Sequence, residues 1–469
     1  MESKFLKKFG FTLAETLITL AIIGTVVAIT IPTVSQNTNN KQFKVRADKQ
    51  LAILNNIMKK RYVMYDDKID YYRDANDLKT NFFFKNFIIL YNDDEISNDF
   101  DFYMWEYEEQ TKIKHKVLEE YLFVWATKLG SVNDIIYYDG FSGCGAYYNS
   151  TENELNYGSP IIAKQQFTKA RRDSKSTFYF NEKQDCNIEN LKKALKHAGV
   201  TFYNTNYTQG EFETNIIPFL ESLEKNPKPT FFMIDPYGID VNFKTIERIM
   251  KIPKTEVFFN FMYNFTRRFT NMDSVESNLT NLFGTDKWKD YKDYKLEAKE
   301  NALKELYRKQ LKTCSDYVYQ YRMCFPNDKR TYYYLFHATN NREGCSIMKD
   351  AFAKINFGNV EFLGPNQPRP EQLSFDMSDT KIDNLKTLIW NECKGKTMRY
   401  SDILDKYIDS TPYLERHIRQ AILSLENEYL KISRVNLKSK TVKVEDVVEF
   451  YSEYCPQPKK VKSIQQKLF

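Results

Sequence analysis

Residues 137–145 read YYDGFSGCG: an apolar run ends on Asp139, and three glycines follow within six positions. Glycine admits left-handed dihedrals and lets a ligand rest against bare backbone. Asp139, Gly140, Phe141, Gly143 and Gly145 are therefore candidates for an acid followed by a close-approach loop. No GxGxxG and no GK[ST] is present, which disfavours a dinucleotide or ATP. Two further acids end apolar segments. Glu182 closes STFYFNE, in position to accept both hydroxyls of a ribose. Asp235 closes TFFMID and is followed by Pro236, Tyr237 and Gly238. A carboxylate and a neighbouring carbonyl can accept hydrogen bonds from an amine and aim its lone pair at an electrophile, while an aromatic ring stacks on a base. Asn260 stands near the end of the segment TEVFFNF, Asn264, Arg267 and Arg268 follow it, and arginine forks suit phosphate or carboxylate.

The elements that must position these residues alternate. KIKHKVLEEYLFVWATKLG repeats apolar residues at helical spacing and stops at Gly130. Segments 134–139, 176–182, 200–206, 230–236 and 255–261 read as five short strands of the buried, parallel kind. Helices of about a dozen residues separate them, a length typical of such crossovers. Ser159 and Pro160 open one of these helices, as N-cap and first-turn residues. Segments 315–325 and 330–340 flank a Pro-Asn-Asp turn and read as an antiparallel hairpin. The pattern predicts an α/β Rossmann-like, doubly wound sheet with a terminal antiparallel hairpin, in which ligands bind beyond the carboxyl ends of the strands.

That layout resembles the class I S-adenosylmethionine (SAM) methyltransferases, which implies SAM on Asp139, the glycine loop and Glu182. Asp235-Pro236-Tyr237 resembles the Asp/Asn-Pro-Pro-aromatic motif of amine methyltransferases, implying Asp235, Pro236 and Tyr237 as the catalytic group. The second proline is missing and the aromatic comes one place early, a departure that bears on base specificity and on the stacking role of Tyr237. DGFSGCG, GSPIIA, FFMIDPYG, TEVFFNFMYNFTRRF and YYYLFHATNNREGCSIMKDAF together resemble the three-Cys-motif partner proteins (TcmP). The resemblance covers about residues 105–365 and is expected to run on to the end. It implies a partner with three cysteines, itself similar to radical-SAM enzymes.

The N-terminus points elsewhere. MESKFLKKFG precedes FTLAETLITLAIIGTVVAITIPTV, an apolar run long enough to span a bilayer, interrupted by Glu15. This resembles a type IV prepilin or pseudopilin leader. The resemblance implies cleavage after Gly10, methylation of Phe11 and pairing of Glu15 with a neighbouring subunit's terminus, with residues 11–34 in the inner membrane. Such a topology would place the rest of the chain outside the cytoplasm, whereas SAM and nucleic acid predict a cytoplasmic methyltransferase-like domain. The two readings conflict.

After the Pro-rich stretch LGPNQPRPEQLSF the chain reads helix, helix, helix, hairpin, which predicts a winged helix-turn-helix. Thr411 and Pro412 open its third helix. Arg416, Arg419, Arg434, Lys438 and Lys440 are candidates for phosphate contacts with DNA or RNA. The expected domains are a leader and long helix at 1–65, a linker at 66–105, a methyltransferase-like domain at 106–362, a linker at 363–378, the winged helix at 379–455 and a basic tail at 456–469.

Composition sets bounds on these readings. The 469 residues carry 68 Lys and Arg against 62 Asp and Glu, a net charge of +6 that permits nucleic-acid contact without demanding it. Seven cysteines without a CxxC and four scattered histidines disfavour a zinc ribbon, a disulfide framework and a histidine metal site, so no metal is expected. Three functions stay open at this point: a SAM-dependent methyltransferase acting on nucleic acid or a nucleic-acid-associated partner, a non-catalytic SAM-fold and winged-helix protein that binds a partner, and a pseudopilin-like membrane subunit.

Overall fold

The structure, a computed structural model, describes residues 102–149, 152–324, 330–355, 360–362 and 379–453, with backbone alone at 360–362 and 379–381. All of these fall in one compact unit, residues 79–469. Gly10, Phe11, Glu15, the apolar run 11–34, most of the linker at 66–105, and the basic tail lie outside the described residues.

The elements run β1 (Trp105–Glu106), α1 (Glu109–Leu129), β2 (Ile135–Asp139), β3 (Ala146–Asn149), β4 (Glu154–Tyr157), α2 (Ser159–Lys169), β5 (Ser176–Glu182), α3 (Asp185–His197), β6 (Thr205–Gln209) and α4 (Phe212–Lys225). Then come β7 (Thr230–Ile234), α5 (Phe243–Lys251), β8 (Thr255–Phe261), α6 (Tyr263–Phe269), α7 (Glu276–Phe283), α8 (Leu296–Lys312), β9 (Tyr317–Cys324), β10 (Thr331–Thr339), α9 (Arg342–Lys354) and β11 (Val360–Phe362). The last group is α10 (Asp379–Cys393), β12 (Thr397–Arg399), α11 (Tyr400–Ile408), α12 (Glu415–Leu425), β13 (Leu430–Ser433) and β14 (Val447–Phe450).

The main sheet has eight strands in the order β11-β9-β10-β8-β7-β2-β5-β6. β6, β5, β2, β7 and β8 are parallel, while β10 runs antiparallel to both β8 and β9. From β2 the chain moves outward through β5 to β6, then returns to β7 and β8 on the other side. In open α/β sheets ligands bind where such a reversal occurs, here at the carboxyl ends of β2 and β7. Every residue of β2, β7 and β8 is buried, as helices on both faces require. Rings dominate this core: Tyr137 stacks on Phe231 at 6.1 Å, and Phe261 on Tyr307 at 4.8 Å. Each fully buried ring adds on the order of 1.5–3 kcal/mol.

Three local expectations need correction. The apolar segment 200–206 is not the edge strand: Phe202 and Tyr203 are exposed, and the polar run Thr205–Gln209 pairs with β5 instead. An outer strand buries too little to demand apolar residues, so its sequence loses the signal. Ser159 does not cap α2. Gly158 holds that position, and the Ser159 hydroxyl is drawn to Asp139. Thr411 does not open α12, which starts at Glu415; its hydroxyl bonds back to the Tyr407 carbonyl at 2.7 Å. A small sheet, β1-β3-β4, has no counterpart among the expected elements.

The C-terminal part is three helices with the three-stranded sheet β12-β14-β13. It is fastened to the main domain by Lys349 of α9, whose Nζ donates to the carbonyls of Ile408 and Thr411 at 2.8 Å and Tyr413 at 2.6 Å. Arg342 adds an ion pair to Asp405 at 3.1 Å. Among the described residues no helix is long and apolar enough to cross a membrane.

Candidate active site

Three acids end adjacent strands, and the structure gives each a different task. Asp139 is fully buried at the end of β2. Ser159 and Tyr137 hydroxyls donate to its Oδ2 at 2.7 and 3.0 Å, and the Phe141 amide donates to Oδ1 at 3.2 Å. Burial pushes its carboxyl up to about 7, against the opposing pull of those hydrogen bonds. Asp139 thus braces the loop from behind and presents no oxygen to solvent.

Glu182 reaches across from β5. Its Oε2 accepts from the Gly143 amide at 3.0 Å, and Oε1 accepts from the Gln184 amide at 2.9 Å and Asn187 Nδ2 at 3.0 Å. Ser142 and Asn181 tie the same loop to the same strand: the Ser142 amide donates to the Asn181 carbonyl at 2.9 Å, and Asn181 Nδ2 donates to the Gly140 carbonyl at 3.1 Å. Gly143 and Gly145 have φ of +62° and +81°. A β-carbon on Gly140 would lie 2.8 Å from the Phe212 ring, one on Gly143 3.0 Å from Trp105, and one on Gly145 2.4 Å from Leu191. The missing side chains therefore make room for protein. Spacing alone could not separate that cause from close approach of a ligand.

A strap over the loop went unseen in sequence. The Tyr103 amide donates to Asn190 Oδ1 at 2.7 Å, and Asn190 Nδ2 returns to the carbonyls of Tyr103 and Cys144 at 2.8 and 3.0 Å. The Tyr103 hydroxyl bonds to Asn187, the same amide that holds Glu182. Trp105 then lies against Gly143.

Asp235, just past β7, is partly exposed, Pro236 is buried, and Tyr237 is 52% exposed, its ring edge-on to Phe265 at 5.4 Å. Asn260 Nδ2 donates to Asp235 Oδ1 at 2.6 Å, while Lys114 of α1 forms an ion pair with Oδ2. Asn260, a candidate from the end of the neighbouring strand, thus meets Asp235. Lys114 has no signal in the sequence, since it lies 121 positions from its partner. Arg267 and Arg268 sit on the last turn of α6. Burial foremost, and then the Arg267 charge, depress Lys299 on α8.

On the winged helix, Arg416, Arg419, Gln420, Leu423 and Ser424 line a shallow groove along α12. Arg416 pairs with Asp350 at 2.6 Å, Arg419 with Glu415 at 2.5 Å, and Arg434 grips Glu426 with both terminal nitrogens at 2.6 and 2.7 Å. Lys438 lies exposed between β13 and β14. The described cysteines are free, and among the described residues no cluster of His, Cys, Asp or Glu could hold a metal ion.

A GMT-like wHTH domain family model matches residues 363–434. The match starts inside the segment expected as a linker and stops before β14. No curated protein matches the chain in sequence. Among solved structures, a Legionella pneumophila protein of the DUF519 family aligns at 14% identity and a TM-score of 0.34, over 55% of this chain and 96% of that one. Human methyltransferase-like protein 13 in complex with SAH aligns at 11% identity and a TM-score of 0.27, over 58% and 99%. A candidate O-methyltransferase from Klebsiella pneumoniae aligns at 11% identity and 0.30, over 55% and 96%.

Proposed function

We propose that the chain is a SAM-dependent methyltransferase of the three-Cys-motif partner kind, acting on nucleic acid or on a partner bound to nucleic acid. One observation carries the reading: the loop 140–145 and Glu182 converge at the carboxyl ends of neighbouring parallel strands, with the Gly143 amide on Glu182 at 3.0 Å. The strand order and the antiparallel β9–β10 hairpin agree with the class I methyltransferase layout.

The reading takes two amendments: the space beside Gly140, Gly143 and Gly145 is taken by Phe212, Trp105 and Leu191, which leaves a ligand only the remaining backbone of the loop, and Glu182 is largely engaged. A carboxylate offers about four acceptor positions, and Gly143, Gln184 and Asn187 use three of Glu182's. One remains for a ribose hydroxyl, where the spacing had suggested two. The backbone of Gly140–Gly145 would hold the methionine end, with Asp139 as its brace. Bound SAM supplies an electrophilic sulfonium methyl. The chain's own residues then position the acceptor: Asp235 and Asn260 take its N–H groups, and Tyr237 offers a ring face. Arg267 and Arg268 would approach phosphate, and Arg416, Arg419, Arg434 and Lys438 the nucleic-acid backbone. A radical-SAM-like three-Cys protein is the proposed partner.

Titrating the full chain calorimetrically with SAM tests this reading. Saturable binding is expected, weakened about ten-fold or more in Glu182→Ala, since one charged hydrogen bond and the loop anchor are lost together. No heat from wild type would end the proposal. A second reading, a SAM-fold partner-binding protein without catalysis, is favoured by Lys114 already holding Asp235. SAM binding with no methyl transfer to DNA, RNA or the three-Cys protein would select it. The prepilin-like leader belongs to a third reading, and N-terminal sequencing for cleavage after Gly10 tests it.

A further inference from the structure

We propose that Lys114 is a specificity-determining residue: it neutralises Asp235 and so reserves the acceptor site for an uncharged amino group, the exocyclic amine of a nucleobase, against an alkylammonium. The inference rests on the reading of the Asp235 crevice as an acceptor site.

Asn260 is 3% exposed and its Nδ2 faces Asp235 Oδ1. An ionised carboxylate has no proton to give, so the amide nitrogen must face it. That fixes Asn260 Oδ1 as the other pole, and this oxygen is buried without a hydrogen-bond partner. A buried acceptor left bare is costly, and an incoming N–H relieves it. The donor must also suit the neighbouring pair. Lys114, itself 6% exposed, puts one positive charge on the one negative charge of Asp235, so the pair sums to zero. An alkylammonium gains no net attraction there. It also carries no lone pair until it loses a proton, and Asp235 is already paired with Lys114. The amine of an adenine is neutral, needs no deprotonation before it is positioned, and brings two N–H donors. One satisfies Asn260 Oδ1, and the other takes a remaining lone pair of Asp235. A carboxamide shares that chemistry. The half-exposed Tyr237 ring two residues beyond Asp235 favours a flat base, which can stack on it.

Fluorescence anisotropy of the full chain without cofactor tests this. The probes are a single-stranded oligothymidylate with one central adenine and its counterpart with hypoxanthine, which replaces the amino group by oxygen. The competitor is n-butylammonium chloride against sodium chloride at equal ionic strength. Wild type is expected to bind the adenine strand about ten-fold tighter, the scale of one buried polar group left unpaired, and to ignore the choice of cation. Lys114→Met should keep the adenine preference, since Asn260 and Asp235 still accept, and should respond to n-butylammonium. Should that variant fail to fold, Asp235→Asn serves: the site becomes cationic, so adenine preference falls while n-butylammonium stays excluded. Equal affinity for the two strands, binding of neither, competition by n-butylammonium in wild type, or competition by a glutamine peptide in place of the adenine strand each overturns the proposal. No arm uses SAM. Failure of SAM to bind would remove the methyltransferase reading and leave the selectivity standing, and the reverse outcome is equally distinct.

Discussion

Gly145→Ala separates the two explanations of the glycine loop. The residue sits at φ +81°, and an added β-carbon would lie 2.4 Å from Leu191 Cδ1 and 3.3 Å from Leu191 Cα. A left-handed dihedral costs a non-glycine residue about 1–2 kcal/mol. Leu191 is fully buried on α3 and has no open space to swing into, so overpacking adds about 1–3 kcal/mol. The sum is about 2–5 kcal/mol, or a fall in melting temperature of roughly 5–15 °C for a domain of this size. Gly199 supplies the control: its φ is +65°, and an added β-carbon meets nothing within 4 Å. Gly199→Ala should cost the dihedral term alone. Urea melts of both variants, with Leu191→Ala and the double variant, give the contact as a coupling energy of about 1–3 kcal/mol. If Gly145→Ala costs no more than Gly199→Ala, the packing account is wrong. If it spares stability and abolishes SAM binding, the loop is bare for the ligand, as the spacing first suggested.

Other outcomes rest on the same geometry. Burial holds the Asp139 carboxyl up at about 7, so the folded state keeps a proton that the unfolded chain releases near pH 4. Its stabilising contribution is fully present below about pH 4 and lost as pH rises through about 7; Asp139→Asn should remove a slope worth up to about 4 kcal/mol between about pH 4 and 7, and parallel urea-midpoint curves would refute this. Lys349→Met strips the donor from two buried carbonyls and a half-buried one, each buried one costing about 1–3 kcal/mol unpaired, against a partial return from no longer burying a charge. We expect a net loss of about 2 kcal/mol or more and a split calorimetric transition; one unshifted transition would refute it. Arg434→Ala breaks a bidentate pair with Glu426 and should lower winged-helix stability by about 1 kcal/mol, whereas Lys438→Ala should leave the melt unchanged and only flatten the salt dependence of any DNA binding. Equal melts for the two would count against the pairing.

The parallel core was legible because its strands are buried on both faces. Ser176–Glu182 and Thr255–Phe261 fall where their apolar runs placed them. The winged helix was legible from helix periodicity, and the family match to residues 363–434 agrees with it. The outer strand Thr205–Gln209 was hidden by its polarity, and Trp105–Glu106 by its brevity. The acids Asp139, Glu182 and Asp235 stood out because each ends an apolar run, but their partners did not. Lys114 and Asn187 owe their positions to helices that fold over the crevice, and no local pattern records which distant carboxylate a helix will meet. The arginines of α12 and the wing stood out by charge, whereas the acids that neutralise them became visible only in three dimensions.

The strap across Tyr103–Trp105 has a thermodynamic consequence. With Leu191 behind it, Trp105 over it and Glu182 hooked to its amide, the turn at 143 is set before any small molecule arrives. A nucleoside bound there as proposed need not recruit order from a floppy segment, so its association should show little conformational entropy penalty. The Gly143 amide proton should also exchange slowly with deuterium in the free protein.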